Sequence, residues 1–175
     1  TFYRRLMTTL GSDKNYAVIL SIGPDRSAKQ EFGSTIMPSN FLVSTFVPQL
    51  ALLTMVDAFI THCGNNSVHE ALFLKCPMLC VPVFGDQHPN AASIARVNCG
   101  VAMASPFAPG VTTNFDHVTT QALVEGLNEL LVTRKDEIQT ACAAIQTIMR
   151  EKYEHYHSRA VKEIEAYVAA GGGKK

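Results

Sequence analysis

The chain has 175 residues, 47% of them hydrophobic and 17% charged, which is enough apolar material for one compact domain with a sizeable core. Fifteen basic and fifteen acidic residues cancel, so no basic field draws nucleic acid, and no apolar run reaches the ~18–20 residues of a membrane span. Five cysteines, an odd number at irregular spacing, read as reduced thiols of an intracellular protein, and the start Thr1-Phe2-Tyr3-Arg4-Arg5 is not a signal peptide.

In chain order, Phe2, Leu6 and Leu10 at four-residue spacing predict a helix over Thr1–Leu10, followed by a strand over Asn15–Ser21. Residues 23–40 read as a polar loop, Phe41–Ser44 as a second strand and Leu50–Met55 as a short helix. Ala58–Thr61 is a third apolar run. It ends in the polar, glycine-containing loop Thr61-His62-Cys63-Gly64-Asn65-Asn66-Ser67, and a helix is expected over Val68–Lys75, with Asn66 or Ser67 as its N-cap and Pro77 as its stop. A fourth strand is placed at 78–84, a helix at Asn90–Val97, a short strand at Gly100–Met103 and a loop at Ser105–Asp116. Two helices close the domain, Thr119–Val132 and about 134–168, the second with Ile138, Ala141, Ile145, Ile148 and Met149 on a stripe read as core. Residues 171–175 read as a flexible tail.

The strand-loop-helix-strand unit over 58–83 places free backbone N–H groups and the positive end of a helix dipole just beyond the carboxyl end of a strand, where open α/β sheets bind phosphate. Asn66 and Ser67 add neutral donors, and His62 a donor whose charge can follow a ligand. Glu70, three residues beyond Ser67, fits either a capping box or a carboxylate that accepts hydrogen bonds from a ribose diol. Taken one at a time, Phe46 fits an ordinary core aromatic, His62 a satisfied strand-end histidine and Asp86-Gln87-His88 a solvated turn. Three polar clusters, each just after an apolar run, fit one shared cleft better.

Other chemistries match less well. Gly64-Asn65-Asn66-Ser67-Val68 lacks the second glycine of a hydrolase nucleophile elbow, and Ser21–Arg26 is not a dinucleotide fingerprint. His62, Cys63, Cys76, Cys80 and His88 show no paired metal-ligand spacing, so the thiols are expected to be buried. No Asp-x-Asp metal motif and no P-loop occur.

Phe46-Val47-Pro48-Gln49, then His62-Cys63-Gly64-Asn65-Asn66-Ser67 with Glu70, then Pro82 with Asp86-Gln87 and Asn90-Ala91, resembles in this order the signature of the UDP-dependent glycosyltransferases. The likeness covers most of the chain from about residue 16. It implies the C-terminal, donor-binding domain of the two-domain GT-B arrangement: an α/β fold with a Rossmann-like parallel sheet flanked by helices, over residues 1–170. By that resemblance Phe46 stands where an aromatic ring, usually Trp, stacks on uracil, and Val47 and Gln49 flank the base and ribose. His62, Gly64, Asn66 and Ser67 fall on diphosphate positions, with Asn65 where plant members have Trp. Glu70 falls on the ribose-diol position, and Asp86 and Gln87 on those that bind sugar hydroxyls.

The resemblance further implies metal-independent, inverting transfer of a hexosyl group from a UDP-sugar, with UDP-glucose the expected co-substrate and no cofactor. The family's first strand, at the sheet centre, is expected to be missing, leaving five strands of six. The N-terminal domain that binds the small-molecule acceptor and carries the acceptor-activating histidine is outside this chain, so no catalytic residue is assigned here and the chain alone is expected to be inactive. The alternative is a nucleotide-sugar-binding module or subunit without catalytic activity of its own. A cytoplasmic location is expected, with membrane attachment left to segments outside the chain.

Overall fold

The computed structural model describes residues 2–24, 36–103, 115 and 118–171. Helix α1 (Phe2–Leu10) buries Leu6, Met7 and Leu10, the face set by its four-residue spacing, and leads to strand β1 (Val18–Ser21). Strand β2 (Phe41–Ser44) precedes a short helix α2 (Gln49–Leu53). Then come β3 (Phe59–Thr61), α3 (Asn65–Phe73), β4 (Met78–Cys80), α4 (Gln87–Arg96) and β5 (Gly100–Ala102). Helix α5 (Thr120–Asn128), capped by the Thr119 side chain, runs through a π-helical turn (Glu129–Thr133) into α6 (Lys135–Ala169).

Among the described residues five parallel strands form between these helices, but they do not make one sheet. The strands β1 and β2 pair in register Val18 with Phe41, and β3–β4–β5 form a separate ladder with Phe59 beside Met78 and Met78 beside Gly100. Val18 and Ile22 donate to β2-side carbonyls, and Phe59 donates to Pro77 beside β4. Because a parallel ladder turns alternate residues to opposite sides, Ile19 and Ser21 of β1 and Ile60 of β3 direct their N–H and C=O groups away from their paired strands. Between the two sheets lies a cavity of ≈ 920 Å³ lined by Leu6 and Leu10 of α1, Ile19 and Leu20 of β1, and Phe59 and Ile60 of β3.

Met78, Leu79 and Cys80 of β4 are fully buried and share one core cluster with Ala71, Ile94, Leu123 and Ile138. A three-residue strand buried on both faces needs this continuous apolar run. The elements differ from expectation mainly at their ends. The first strand is shorter, β4 stops at Cys80, and α3 and α4 each begin three residues early. In α6, Ile138 is buried and Ala141, Ile145 and Met149 are half-buried, while Ile148 is exposed; every residue from Arg150 to Ala169 is exposed. The stripe is therefore core only over its first turns. Most of the loops expected at 23–40 and Ser105–Asp116, and the tail beyond Gly171, lie outside the described residues.

Candidate functional site

All three polar segments follow the carboxyl end of a strand: Phe46–Gln49 after β2, His62–Ser67 after β3, and Val81–Gln87 after β4. Parallel pairing of β3 with β4 brings the second and third to the same edge. The first is tied in by Gln49, whose Nε2 donates to Glu70 Oε2 at 2.7 Å and lies 3.3 Å from Ser67 Oγ. Gln49, Ser67 and Glu70 therefore form one polar cluster across α2 and α3.

Helix α3 begins at Asn65, so its cap is Gly64 rather than Asn66 or Ser67, and no side chain caps it. Ser67 sits inside the first turn. Glu70 consequently accepts from Gln49 and makes no capping box. The first helical bond is Val68 N–H to Gly64 C=O; among the described residues the N–H groups of Gly64, Asn65, Asn66 and Ser67 have no partner. Four free donors on a helix dipole's positive end make an anion-binding surface.

Gly64 has a steric reason to be glycine, because a Cβ there would stand 2.5 Å from His62 Nε2. The exposed His62 ring thus lies over Gly64, next to the free amides. Cys63, between them, holds a left-handed conformation at φ 67 that a side chain rarely adopts. Its N–H donates to Thr61 Oγ1 and its C=O accepts from Asn90 Nδ2, so both flanking polar groups hold the turn. Asn65 and Asn66 are exposed, and the Asn65 carbonyl lies 2.8 Å from Nδ1 of exposed His69.

In the third segment a turn closes from Gln87 N–H to Phe84 C=O, with Gly85 at φ 58, where glycine alone is unstrained. Asp86 is an exposed residue of that turn, whereas Gln87 is not solvated. Gln87 opens α4 and is 4% exposed, and its Oε1 accepts from the N–H groups of Val83 and Phe84. Two N–H donors fix which amide atom is the oxygen, so the part of Gln87 left for a ligand is its NH₂. Asp86 is exposed, with one carboxylate oxygen 3.3 Å from Asn90 Nδ2.

Phe46 is 78% exposed, held at its backbone by two hydrogen bonds with Ser44 Oγ, so its ring is not a core aromatic. Of the residues singled out in the sequence, Val47, Gln49, His62 and Ser67 line the 920 Å³ cavity; Phe46, Glu70, Asn65, Asn66, Asp86 and Gln87 lie outside its lining. The zinc alternative is not assembled: among the described residues no group of three or more His, Cys, Asp or Glu side chains converges.

The profile of the family described as UDP-glucoronosyl and UDP-glucosyl transferase matches residues 31–161. The chain belongs to this family. It is 32% identical over 124 residues to the oleandomycin glycosyltransferase of Streptomyces antibioticus, covering 71% of this chain and 27% of that protein. It is 28% identical over 165 residues to a putative UDP-glucuronosyltransferase of Caenorhabditis elegans, covering 93% of this chain and 29% of that one. The chain thus spans less than a third of the length of these two relatives. Among solved structures, the calicheamicin glycosyltransferase CalG4 superposes with a TM-score of 0.72 at 20% identity, covering 97% of this chain and 40% of that one. Os79 from O. sativa, solved with UDP and deoxynivalenol-3-glucoside, gives a TM-score of 0.63 at 17% identity, covering 83% and 33%. These neighbours are GT-B glycosyltransferases, and the likeness establishes the fold. Among the described residues of this chain, no helix is long and apolar enough to cross a membrane.

The thiols of this chain pack inside the fold. All five are free and buried. Burial, with the Asp57 charge adding, pushes the Cys76 thiol up to about 12. A hydrogen bond to Cys63, then burial, raises Cys80; the bond between Cys99 and Cys142 raises Cys142 and lowers Cys99. Sequence reasoning gave no role to Asn90, although a short amide four residues after Asp86 in a helical stretch is placed to reach back to it.

Proposed function

We propose that the chain is the donor-binding half of a glycosyltransferase that transfers a hexosyl group from a UDP-sugar, UDP-glucose in the first instance, to an acceptor hydroxyl. The observation that carries the proposal is the uncapped start of α3, with four free N–H groups, the His62 ring over Gly64, and the Gln49–Ser67–Glu70 cluster beside it. In this reading the amides, His62, Asn66 and Ser67 stabilise the charge that grows on the departing diphosphate. The second Glu70 oxygen accepts from the ribose diol, Phe46 offers a π face to uracil, and Val47 flanks the base. Asp86 supplies acceptors and Gln87 an NH₂ donor to sugar hydroxyls. Asn65 contributes its backbone N–H.

Transfer is metal-independent and inverts the anomeric carbon, because the acceptor attacks opposite a diphosphate that the protein itself stabilises. The acceptor and the histidine that deprotonates it belong to a second domain, so this half alone does not turn over. The domain reading extends over residues 1–170, with a further parallel strand completing the sheet between β1 and β3.

The test is a calorimetric titration of the chain with UDP, UDP-glucose and ADP-glucose, repeated on Ser67→Ala and Glu70→Ala. Saturable binding of the uridine ligands is expected, weakened about tenfold in each variant, in line with the loss of one hydrogen bond near charge. A folded sample that binds none of them would overturn the proposal.

A further inference from the structure

The phosphate-facing loop after β3 and the sugar-facing loop after β4 are joined by one side chain. Asn90 lies in the first turn of α4, and its Nδ2 donates to Cys63 C=O at 3.0 Å and to Asp86 Oδ2 at 3.3 Å. We propose that Asn90 is a positioning residue that locks these two loops in register, so that a ligand spanning diphosphate and sugar meets both at once. The proposal rests on the donor-site reading above and adds a residue to it.

The chemistry singles out an amide. A backbone carbonyl can only accept and an ionised carboxylate can only accept, so joining them takes a group that donates twice, which a short amide NH₂ does from one atom without adding a charge. Both hydrogens are used. Asn90 reaches back four positions to Asp86, the N-cap of α4, where the backbone N–H of Asn90 also bonds Asp86 C=O at 3.1 Å. It reaches Cys63 across 27 positions of sequence.

At the Cys63 end the bond acts on a strained turn. A non-glycine residue at φ 67 persists only where its surroundings over-determine it, and the Asn90 bond is one of the constraints. The peptide unit is planar and trans, so the Gly64 N–H points opposite to the Cys63 C=O. Holding that carbonyl on α4 therefore aims the first free amide of the anion surface away from α4. At the Asp86 end, Asn90 occupies one carboxylate oxygen and leaves the other to accept from a hydroxyl.

Losing the bridge should be felt most by a ligand that uses both loops. UDP-glucose carries diphosphate and sugar; UDP lacks the sugar. A residue that merely supported the fold would weaken both alike, so the ratio of the two affinities separates positioning from support.

The experiment titrates the chain, Asn90→Ala, Asn90→Asp and Asp86→Ala with UDP and UDP-glucose, and follows thermal unfolding of each. Asn90→Ala is expected to weaken UDP-glucose about tenfold and UDP about threefold or less, as expected for losing one or two hydrogen bonds. Asn90→Asp keeps the shape, lacks the NH₂ and faces Asp86 with a like charge, so at pH 7 its selective loss should be at least as large; it carries the comparison should Asn90→Ala fail to fold. Asp86→Ala should show the UDP-glucose loss with little change for UDP. Equal losses for both ligands, or unchanged affinities, in folded Asn90 variants would overturn the bridge while leaving the donor site standing. A wild-type chain that binds neither ligand would overturn the donor-site reading, and the bridge with it.

Discussion

The two sheets of this chain are built from strands of similar length and opposite quality. In β3–β4–β5 the central strand is buried on both faces, with Met78, Leu79 and Cys80 at 0% exposure, and Gly126 of α5 packs closely on Leu79. In β1–β2 the burial is partial, and Ile19 and Leu42 stand 41% and 63% exposed. The difference is one of coverage. Ordered loops after β3 and β4 depend on the well-packed half, whereas β1 turns an unpaired edge toward the cavity between the sheets.

The sharpest way to break this comparison is to cut the same side chain from each half. Leu79→Ala should cost about 2–5 kcal/mol in urea unfolding, since it empties a fully buried site, whereas Leu42→Ala should stay within about 0.5 kcal/mol. Equal losses would mean that β1–β2 is as well supported as β3–β4–β5.

The same contrast decides what was legible in the sequence. Periodicity and turn residues located α1, β2, the β3–α3–β4 unit and the closing helices, because each pairs a strong apolar pattern with Gly, Pro or Asn at its ends. Helix starts were misplaced where the cap is backbone only. Gly64 has no side chain to announce a cap, and Gln87 enters α4 as a buried amide serving its own loop, a polar role that composition does not signal. The described strands form two separate sheets, and the three-residue lengths of β3, β4 and β5 carry too little pattern to be read from the sequence. Most site residues could be named from their motifs. The bridge through Asn90 could not, because it joins loops 27 positions apart through a carbonyl present in every residue.

If a parallel strand belongs between β1 and β3, an extended peptide of valine, isoleucine and leucine flanked by lysines should bind the chain in trans. Both of its edges would find partners, at Ile19 and Ser21 on one side and Ile60 on the other. At a hundredfold excess over its Kd such a peptide would add about 2.7 kcal/mol, roughly 5–10 °C in thermal midpoint. No shift, with a folded chain, would sink the completed-sheet reading and remove the reason for the weaker half being weak.

A smaller effect should come from the thiols, all of which lie in or beside the three-stranded half. Cys76 is buried, and its thiol is pushed from 9.0 up to about 12 in the folded chain. Below pH 9.0 it is protonated in both states and contributes no slope. Above that value the unfolded chain releases the proton while the folded one keeps it, so stability should fall by about 1.4 kcal/mol per pH unit for that thiol until the folded value is reached. Cys80 and Cys142, also raised, act in the same direction, and Cys99, lowered, opposes them. Tyrosines and lysines titrate in the same range, so the informative quantity is the difference between wild type and Cys76→Ala in urea midpoint at pH 8 and pH 10. The variant should lose less stability over that interval; an identical loss would mean that Cys76 opens to solvent, and that the better-packed half is looser than its burial suggests.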